Sequence, residues 1–422
     1  MCFKKNCLNR FIIIALFFGV AFCGGFYWYF TQYNKVEFEA VACLVQKPGI
    51  LLIDMQKGFG GGQVATMAHY KALVAAGYPT QFLVFKGGYL DKELTVQHIS
   101  HYACRTWKTT FKKYSHLLGF SRCISDICSK EKIKLIHCNN EYEVFGARSA
   151  IAKRPIKLVL TRHMQQVDSV KALACVDGVI GVGKATVASL QKMNTEKGCG
   201  VKHIVWIPPF WNYEKFAQVA IPTMNRNQFF RERFGETLQT PFVMLKAAAF
   251  LKYKNHQFML YGLKRLVELG KPVDVVFAGA GDTEKSMKQL AKSLGVEKYV
   301  HFLGFVTSDM PSVVSYADLV FLVSLEEGLP IALMEGALLH KPLLGVADTG
   351  MESIIVHEKT GLLVAQGNVE ELAQAIIRLR EDADLCKELG QTARIVVEKE
   401  LSPEAIMSRL AQFYDVVLTV SF

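Results

Sequence analysis

One segment, residues 324–335, constrains the fold of this chain more than any other. It has the pattern Ser-x-x-Glu-Gly-Leu-Pro-x-x-x-x-Glu and directly follows the apolar run 319–323, which is typical of a buried strand. Pro330 lies where a helix would begin, a position that proline tolerates because the first helical N–H groups have no intrahelical partner. Those N–H groups and the helix dipole can bind an anion such as a diphosphate. The pattern predicts a strand–loop–helix unit with an anion site, although an ordinary unit with solvated glutamates is the alternative.

Strand-like and helix-like runs alternate along most of the chain, which is the pattern of parallel sheets covered by helices. At 422 residues the chain is long enough for two domains, each with its own core. We predict a first domain at 48–217, a charged linker at 218–240, a second domain at 241–400, and a helix within 401–422 that returns to the first domain.

The N-terminal region predicts a membrane anchor. Residues 11–30 carry no charge, are roughly long enough to cross a bilayer, and end in aromatic residues of the kind found at membrane interfaces. A basic tail, residues 1–10, precedes them. We favour a retained transmembrane anchor over a cleaved signal peptide because Phe22 before Cys23 does not fit a lipoprotein-type cleavage site.

Positive charge is concentrated in the first half of the chain. Residues 1–220 hold 28 Lys and Arg against 13 Asp and Glu, whereas residues 221–422 hold 21 against 25. The basic half indicates an anionic partner, either a phospholipid surface or a phosphorylated molecule. Within it, residues 103–118 have aromatic residues at helical spacing with basic residues between them, which fits a helix on a membrane surface or a helix packed on the sheet. No nucleic-acid-binding module is recognisable, so no nucleic-acid partner is expected.

Glycine turns follow several of the predicted strands, at residues 60–62, 278–282 and 348–352. Such turns let a ligand approach the backbone closely, or they simply make a tight turn. The last of them opens a helix and is a second candidate anion site. Arg162 and His163 follow another predicted strand, at the edge where ligands bind in doubly wound sheets.

With its flanking residues, the pattern at 324–335 resembles the signature of family-4 (group 1) glycosyltransferases, which are retaining enzymes that use nucleotide-diphosphate sugars. The resemblance covers roughly residues 48–415. It implies an α/β protein of the GT-B fold, in which two Rossmann-like domains face each other across a central cleft, here with the N-terminal hydrophobic anchor in addition. The first domain, 48–217, would bind the acceptor, and the second, 241–400, would bind the nucleotide-sugar donor.

The resemblance also implies roles for individual residues. Glu327 would bind hydroxyl groups of the transferred sugar, Lys254 would face the diphosphate, and His163 would lie near the sugar; these are the candidate catalytic residues. Glu335 would bind the ribose hydroxyls. The other candidate donor-binding residues are Gly61, Gly62, Gly279, Gly281, Gly304, Phe305, Gly328, Leu329, Thr349, Gly350 and Glu352.

One position departs from the family pattern. The family has an arginine five residues before the lysine, and Ala249 occupies this position. Alanine cannot make the two-pronged phosphate contact of arginine, so Lys246 or Lys252 would have to substitute, or the phosphate would be held more weakly. No metal and no cofactor are expected, because GT-B enzymes generally work without a bound metal, and the only Asp-x-Asp motif, 382–384, lies in a charged helix.

These inferences predict a retaining glycosyltransferase with a nucleotide-sugar donor and a glycolipid or saccharide acceptor, of the kind used in lipopolysaccharide or envelope assembly. It would reach the membrane through residues 11–30, with 103–118 as a second candidate contact. Two alternatives remain open. One is a non-catalytic nucleotide-sugar- or lipid-binding protein on a decayed scaffold, which Ala249 motivates. The other is a GT-B epimerase that isomerises the nucleotide sugar.

Two arguments disagree about the side of the membrane on which the body of the protein lies. Basic residues precede the anchor, and the positive-inside rule would put the body outside the cytoplasm. The 11 cysteines, however, are odd in number and lack close-paired motifs, which indicates reduced thiols. Activated sugars are also cytoplasmic in bacteria. We therefore favour a body on the cytoplasmic face of a bacterial inner membrane.

Overall fold

The structure, a computed structural model, describes residues 47–58, 61–105, 113–163, 170–211, 213–219, 223–306 and 308–419. The predicted basic tail at 1–10 and the predicted anchor at 11–30 lie outside these ranges. No helix in the described ranges is long and apolar enough to cross a membrane. The described residues from Pro48 onward belong to one unit, which contains two lobes.

The first lobe is a parallel sheet of seven strands flanked by helices. Its strands are β1 (Gly49–Asp54), β2 (Thr80–Phe85), β3 (Tyr102–Cys104), β4 (Ile133–Cys138), β5 (Lys157–Arg162), β6 (Gly178–Gly181) and β7 (His203–Trp206). Its helices are α1 (Gly61–Ala75), α2 (Tyr89–Val96), α3 (Lys113–Lys130), α4 (Glu141–Ala150), α5 (Val170–Leu173) and α6 (Lys184–Lys197). The strand order is β3-β2-β1-β4-β5-β6-β7, so the chain reverses direction across the sheet between β1 and β4. In such sheets ligands bind at the carboxyl ends of the strands near this reversal.

Two short helices, α7 (Tyr213–Ala217) and α8 (Arg226–Phe234), connect the lobes. Helix α8 lies inside the segment 218–240 that the sequence predicts as a linker. Its Phe229 and Phe230 are buried, and Asn225 caps its first turn through the side-chain oxygen. Part of the predicted linker is therefore a packed helix. Its exposed charged residues make its apolar side hard to recognise from the sequence.

The second lobe is a parallel sheet of six strands. Its strands are β8 (Val243–Ala247), β9 (Asp274–Ala278), β10 (Val300–Gly304), β11 (Leu319–Phe321), β12 (Leu343–Val346) and β13 (Leu362–Val364). Its helices are α9 (His256–Glu268), α10 (Glu284–Ser293), α11 (Met310–Tyr316), α12 (Ile331–Leu338), α13 (Val369–Glu381) and α14 (Ala383–Leu401). The order β10-β9-β8-β11-β12-β13 has the same kind of reversal, between β8 and β11.

The last helix, α15 (Pro403–Thr419), packs on the first lobe. The hydroxyl of Tyr414 lies 2.6 Å from Nδ1 of His137 on β4, and Trp211 Nε1 donates to the carbonyl of Leu401 just before this helix. A side-chain carbon added at Gly178 of β6 would lie 2.7 Å from the ring of Phe413. Buried apolar residues of both sheets and of α15 form one continuous core, so burial of apolar surface holds the two lobes together.

The prediction of a helix over 103–118 is wrong for its first residues, 103 and 104. Ala103 and Cys104 belong to β3, which pairs with β2 at the edge of the first sheet. Helix α3 begins only at Lys113, and residues 106–112 lie outside the described residues. Strand pairing decides the conformation at 102–104, because the helical spacing of aromatic residues is a local signal that cannot report a neighbouring strand.

A buried charge cluster lies at the start of β9, at the opposite end of this strand from the glycine turn. Asp274 is completely buried and accepts hydrogen bonds from Thr240 Oγ1 at 2.7 Å and from the N–H of Gln239. His301 on β10 lies 2.6 Å from Asp274 through Nε2 and 2.9 Å from Glu236 through Nδ1. Burial alone would lower the pKa of His301, but the two carboxylates outweigh it and raise that pKa.

We expect His301→Gln to destabilise the protein most at mildly acidic pH. Because the folded-state pKa of His301 is raised, its contribution is fully present below the ordinary histidine pKa of about 6.5 and is lost as pH rises through the raised value. The loss in unfolding free energy should be about 2–3 kcal/mol near pH 5.5 and smaller near pH 9, as measured by urea unfolding.

The exposed His98 provides the control, since His98→Gln removes an imidazole that is open to solvent. A pH-independent effect of His301→Gln, equal to that of His98→Gln, would show that the ion pairs do not stabilise the fold.

Candidate active site

Glu327, in the loop between β11 and α12, forms an ion pair with Lys254, in the loop between β8 and α9. Lys254 Nζ lies 2.7 Å from Oε1 and 2.8 Å from Oε2 of Glu327, and Ser324 Oγ donates to Oε1 at 2.6 Å. Glu327 is only 6% exposed, and its N–H donates to the carbonyl of Thr349 at 2.6 Å. The structure thus brings together two candidate catalytic residues that are 73 positions apart in sequence.

A second lysine, Lys246, holds the main chain of Lys254 in place. Lys246 on β8 is completely buried, and its Nζ donates to the main-chain carbonyl of Lys254. Burial, followed by repulsion from Lys254, lowers the pKa of Lys246 well below its usual range, while Glu327 opposes this. The expectation that Lys246 could replace the missing arginine at 249 is therefore wrong, because its side chain is used inside the lobe. Lys252 is exposed.

The start of α12 offers fewer donors than the sequence indicates. The helix begins at Ile331, directly after Pro330. The N–H groups of Ile331 and Leu333 already donate to the carbonyls of Leu329 and Pro330. Fewer N–H groups are therefore available to an anion at this helix end than the sequence predicts.

The glycine turn after β9 packs against the loop after β8. A side-chain carbon added at Gly279 would lie 2.0 Å from the carbonyl oxygen of Ala248, and one added at Gly281 would lie 2.7 Å from that of Phe250. Gly281 also has φ +154°, and the N–H of Gly279 donates to the carbonyl of Gly304 at 2.7 Å. These glycines are required for backbone packing, whatever they contribute to a ligand.

Two glycines bring the lobes into contact. A side-chain carbon added at Gly328, next to Glu327, would lie 1.9 Å from the main-chain oxygen of His163. One added at Gly183, between β6 and α6, would lie 1.9 Å from the main-chain oxygen of Gly328. The N–H of Lys184 donates to Ser353 Oγ at 3.2 Å. The loop that carries Glu327 therefore lies directly on the loops after β5 and β6.

His163 is half-buried and uncharged at neutral pH. Burial, with the nearby Arg162 charge in addition, lowers the pKa of His163 to about 4. Arg162 itself pairs with Glu141, at 2.9 Å between Nη1 and Oε1, inside the first lobe. The imidazole can therefore exchange hydrogen bonds with a hydroxyl group but carries no charge for a phosphate.

Glu335 lies in the second turn of α12 and is half-buried. Burial raises its pKa to about 8, although Lys215 on α7 opposes this effect. Without a ligand, Glu335 is therefore mostly protonated at neutral pH. A partly buried carboxyl group with a raised pKa is a frequent feature of functional sites.

In the turn at 348–352, the carboxylate of Glu352 accepts the main-chain hydrogen bonds that an anionic ligand would need. Oε2 of Glu352 accepts from the N–H of Gly350 at 3.0 Å, and Oε1 accepts from the N–H of Asp348. The second anion site predicted here is occupied by this carboxylate, which is only a few residues away. Thr349 is buried, and its Oγ1 donates to the carbonyl of Val346.

The remaining candidates lie at the same ends of the two sheets. Gly61 and Gly62 begin α1, where the carbonyl of Gly62 accepts from Thr66 Oγ1. Gly304 ends β10 with φ +69°, followed by the exposed Phe305. Leu329 is half-buried beside the interlobe contact.

Comparisons with known proteins identify the second lobe. Residues 228–396 match the family model described as "Glycosyl transferases group 1". This segment of the chain is therefore a group 1 glycosyltransferase domain. The match begins in α8 and ends in α14, so it includes Lys254 and the whole segment 324–335.

Individual relatives agree with this assignment. Glycosyltransferase EpsD of Bacillus subtilis is 30% identical over 183 residues, which cover 43% of this chain and 47% of that protein. Capsular polysaccharide biosynthesis glycosyltransferase CapM of Staphylococcus aureus is 23% identical over 296 residues, or 64% of this chain and 73% of that protein. The chain spans about half the length of the first curated relatives it matches.

Solved structures show the fold. HepE of Anabaena, in complex with UDP, superimposes with a TM-score of 0.72 at 17% identity, covering 87% of this chain and 100% of that one. Together with the two parallel sheets, this likeness confirms the predicted α/β, GT-B-like architecture.

Sequence reasoning missed Gly183, which contacts the other lobe. A glycine that precedes a helix without a side-chain cap is the only local signal, and it does not indicate a contact with the other lobe. The sequence also does not single out Ser324, which donates a hydrogen bond to Glu327. Nor does it single out Ser353, which accepts a hydrogen bond from the N–H of Lys184.

We expect Gly328→Ala and Gly183→Ala to disturb the contact between the lobes. The added carbon would overlap a main-chain oxygen, so the backbone must shift, which costs about 1–3 kcal/mol in unfolding free energy or parts the lobes. Urea unfolding measures the first effect, and small-angle scattering measures the second as a larger radius of gyration.

Gly58→Ala is the matched control, because a side-chain carbon at Gly58 meets no atom within 4 Å. If the two test variants behave like this control in both measurements, the glycine contact does not exist in solution.

Proposed function

We propose that this glycosyltransferase moves a sugar from a nucleotide-diphosphate sugar to a saccharide or glycolipid acceptor of the bacterial envelope, with retention of configuration. The observation that carries the proposal is the Lys254–Glu327–Ser324 cluster, held against His163 of the first lobe by Gly328. Retention is supported by the resemblance of the segment 324–335 to family-4 enzymes.

The donor side of the reaction needs a group that stabilises negative charge. When the bond between the sugar carbon and the diphosphate breaks, the leaving phosphate oxygen takes the electron pair. An ammonium group has three N–H donors, and Lys254 directs two of them to Glu327. The third can donate to the phosphate, while the carboxylate of Glu327 accepts from sugar hydroxyls.

The acceptor side completes the balance. The acceptor oxygen forms the new bond to the same sugar carbon, and its proton passes to the leaving phosphate oxygen. Glu335 would accept hydrogen bonds from the ribose, and its raised pKa means that it needs no counter-ion before the donor arrives. No step requires a further reactant.

Envelope acceptors are supported by two features outside the site. CapM of Staphylococcus aureus is named for capsular polysaccharide biosynthesis. The uncharged residues 11–30 and the basic first half of the chain suit a protein that works at an anionic membrane. We therefore place the body at the cytoplasmic face of a membrane, where nucleotide sugars are made.

The full chain should bind one class of nucleotide sugar and release its nucleotide. A screen of UDP-, GDP- and ADP-sugars by thermal unfolding should show one class raising the midpoint, since a ligand at 100 times its Kd adds about 2.7 kcal/mol. Lys254→Met should weaken this binding at least about tenfold, because a charged hydrogen bond is lost.

Lys285→Met removes an exposed lysine of the same lobe and should leave binding unchanged. The proposal fails if no nucleotide sugar stabilises the wild-type chain and none is hydrolysed at millimolar concentration.

A second candidate function is non-catalytic binding on a decayed scaffold. Ala249 at the arginine position favours it, and so does the engagement of Lys246 inside the lobe, because both remove a cation from the diphosphate. Ala249→Arg separates the candidates. A competent enzyme should change its donor affinity by less than about threefold, whereas a decayed site should gain about tenfold or more from a two-pronged phosphate contact.

A further inference from the structure

Two cysteines face each other at the edge of the first lobe. Cys104 ends β3, the edge strand of the first sheet, and Cys123 lies in the second half of α3. Both side chains are half-buried, and both are thiols in this structure. The glycosyl transfer proposed above uses neither residue, so the pair needs an explanation of its own.

The contacts between β3 and α3 bring these two side chains together. The hydroxyl of Tyr102, at the start of β3, donates to Glu131 just after α3 at 2.5 Å, and Lys130 Nζ donates to the same hydroxyl at 3.2 Å. Cys104 follows Tyr102 by two residues and therefore lies on the same face of the strand. Cys123 precedes Lys130 by seven residues, about two helical turns, and therefore lies on the same side of the helix.

The environment of the two thiols agrees with this placement. Tyr102, Cys104 and Cys123 all pack against the same buried apolar cluster between the first sheet and its helices. The thiols of Cys104 and Cys123 hydrogen-bond to each other, and this bond, followed by burial, raises the pKa of the Cys123 thiol. Sulfur atoms this close need only small side-chain rotations to form a covalent bond.

A metal site is the other common use of neighbouring cysteines. Structural metal sites usually take four Cys or His ligands. Among the residues that the structure describes, no three His, Cys, Asp or Glu side chains are grouped so as to hold a metal ion. The pair therefore has the arrangement of a disulfide site and not that of half a metal site.

We propose that Cys104 and Cys123 are a modification site, at which a small-molecule disulfide oxidises the two thiols and joins β3 covalently to α3. The bond holds the edge strand, which pairs with β2 alone. It also closes the chain between residues 104 and 123, which restricts the unfolded chain and so stabilises the folded one.

Oxidised glutathione supplies the electron acceptor for this reaction. The thiolate of Cys104 attacks one glutathione sulfur, so that a mixed disulfide forms and one glutathione thiolate leaves. The thiolate of Cys123 then attacks the sulfur of Cys104 and releases the second glutathione. The pair loses two electrons and two protons, and both protons end on glutathione thiols. Cys104 is the better first nucleophile because the raised pKa of Cys123 keeps its thiol protonated.

The covalent state of the pair depends on the compartment. Glutathione and thioredoxin keep such thiols reduced in the cytoplasm, whereas an oxidising compartment favours the disulfide. A body on the cytoplasmic face therefore carries the two thiols in normal growth and the disulfide when oxidised glutathione accumulates.

The test is a peptide map of the full chain by mass spectrometry, after reduction and then incubation with excess oxidised glutathione. Trypsin should release the peptides 93–105 and 123–130 joined to each other, two hydrogens lighter than the separate peptides. Cys386 is the matched control, since it is also half-buried and its thiol donates to the carbonyl of Leu379 at 2.8 Å. It should be joined to no other cysteine.

Variants identify the partner of Cys104, because the peptide 123–130 also contains the buried Cys128. Cys128→Ser should leave the joined peptides, whereas Cys123→Ser should abolish them and leave Cys104 as a glutathione adduct. Oxidation should shift the urea midpoint of the wild-type chain upward, because the new bond restricts the unfolded chain, and should not shift that of Cys123→Ser.

Three results would overturn the proposal. These are a lasting glutathione adduct on Cys104 of the wild-type chain, a bond from Cys104 to a cysteine other than Cys123, or two unchanged thiols after incubation with excess oxidised glutathione. If the serine variants do not fold, fragment spectra of the joined wild-type peptides still locate the bond. No nucleotide sugar enters the test, so its outcome is independent of the proposed glycosyl transfer.

Discussion

The two lobes contact each other through main-chain atoms. Gly183 and Gly328 allow the contact because neither has a side chain to separate the carbonyl groups, and the N–H of Lys184 adds a hydrogen bond to Ser353. The loop that carries Glu327 is thereby seated on the loop that carries His163. The position of the Glu327 loop relative to the His163 loop depends on this approach, since a side-chain carbon added to either glycine would push the loops apart.

Charges near this contact are matched within each lobe. Lys254 pairs with Glu327 in the second lobe, and Arg162 pairs with Glu141 in the first. Paired groups hold fixed positions, so a donor would meet dipoles and charges that need little reorganisation, which is the main source of electrostatic stabilisation in enzymes. Glu335 differs, because burial raises its pKa to about 8 and leaves the carboxyl group mostly protonated near pH 7.

The sequence predicts the fold well where signals are local and poorly where they are not. Apolar runs and glycine turns locate most strands, and the resemblance of the segment 324–335 gives the GT-B-like architecture. The edge strand β3 is missed because its conformation depends on pairing with β2. The residues His137 and Tyr414 are 277 positions apart, and no local sequence pattern predicts their contact. The assignment of individual site residues stays a prediction, although the structure shows that Lys246 and the turn at 348–352 are already engaged internally.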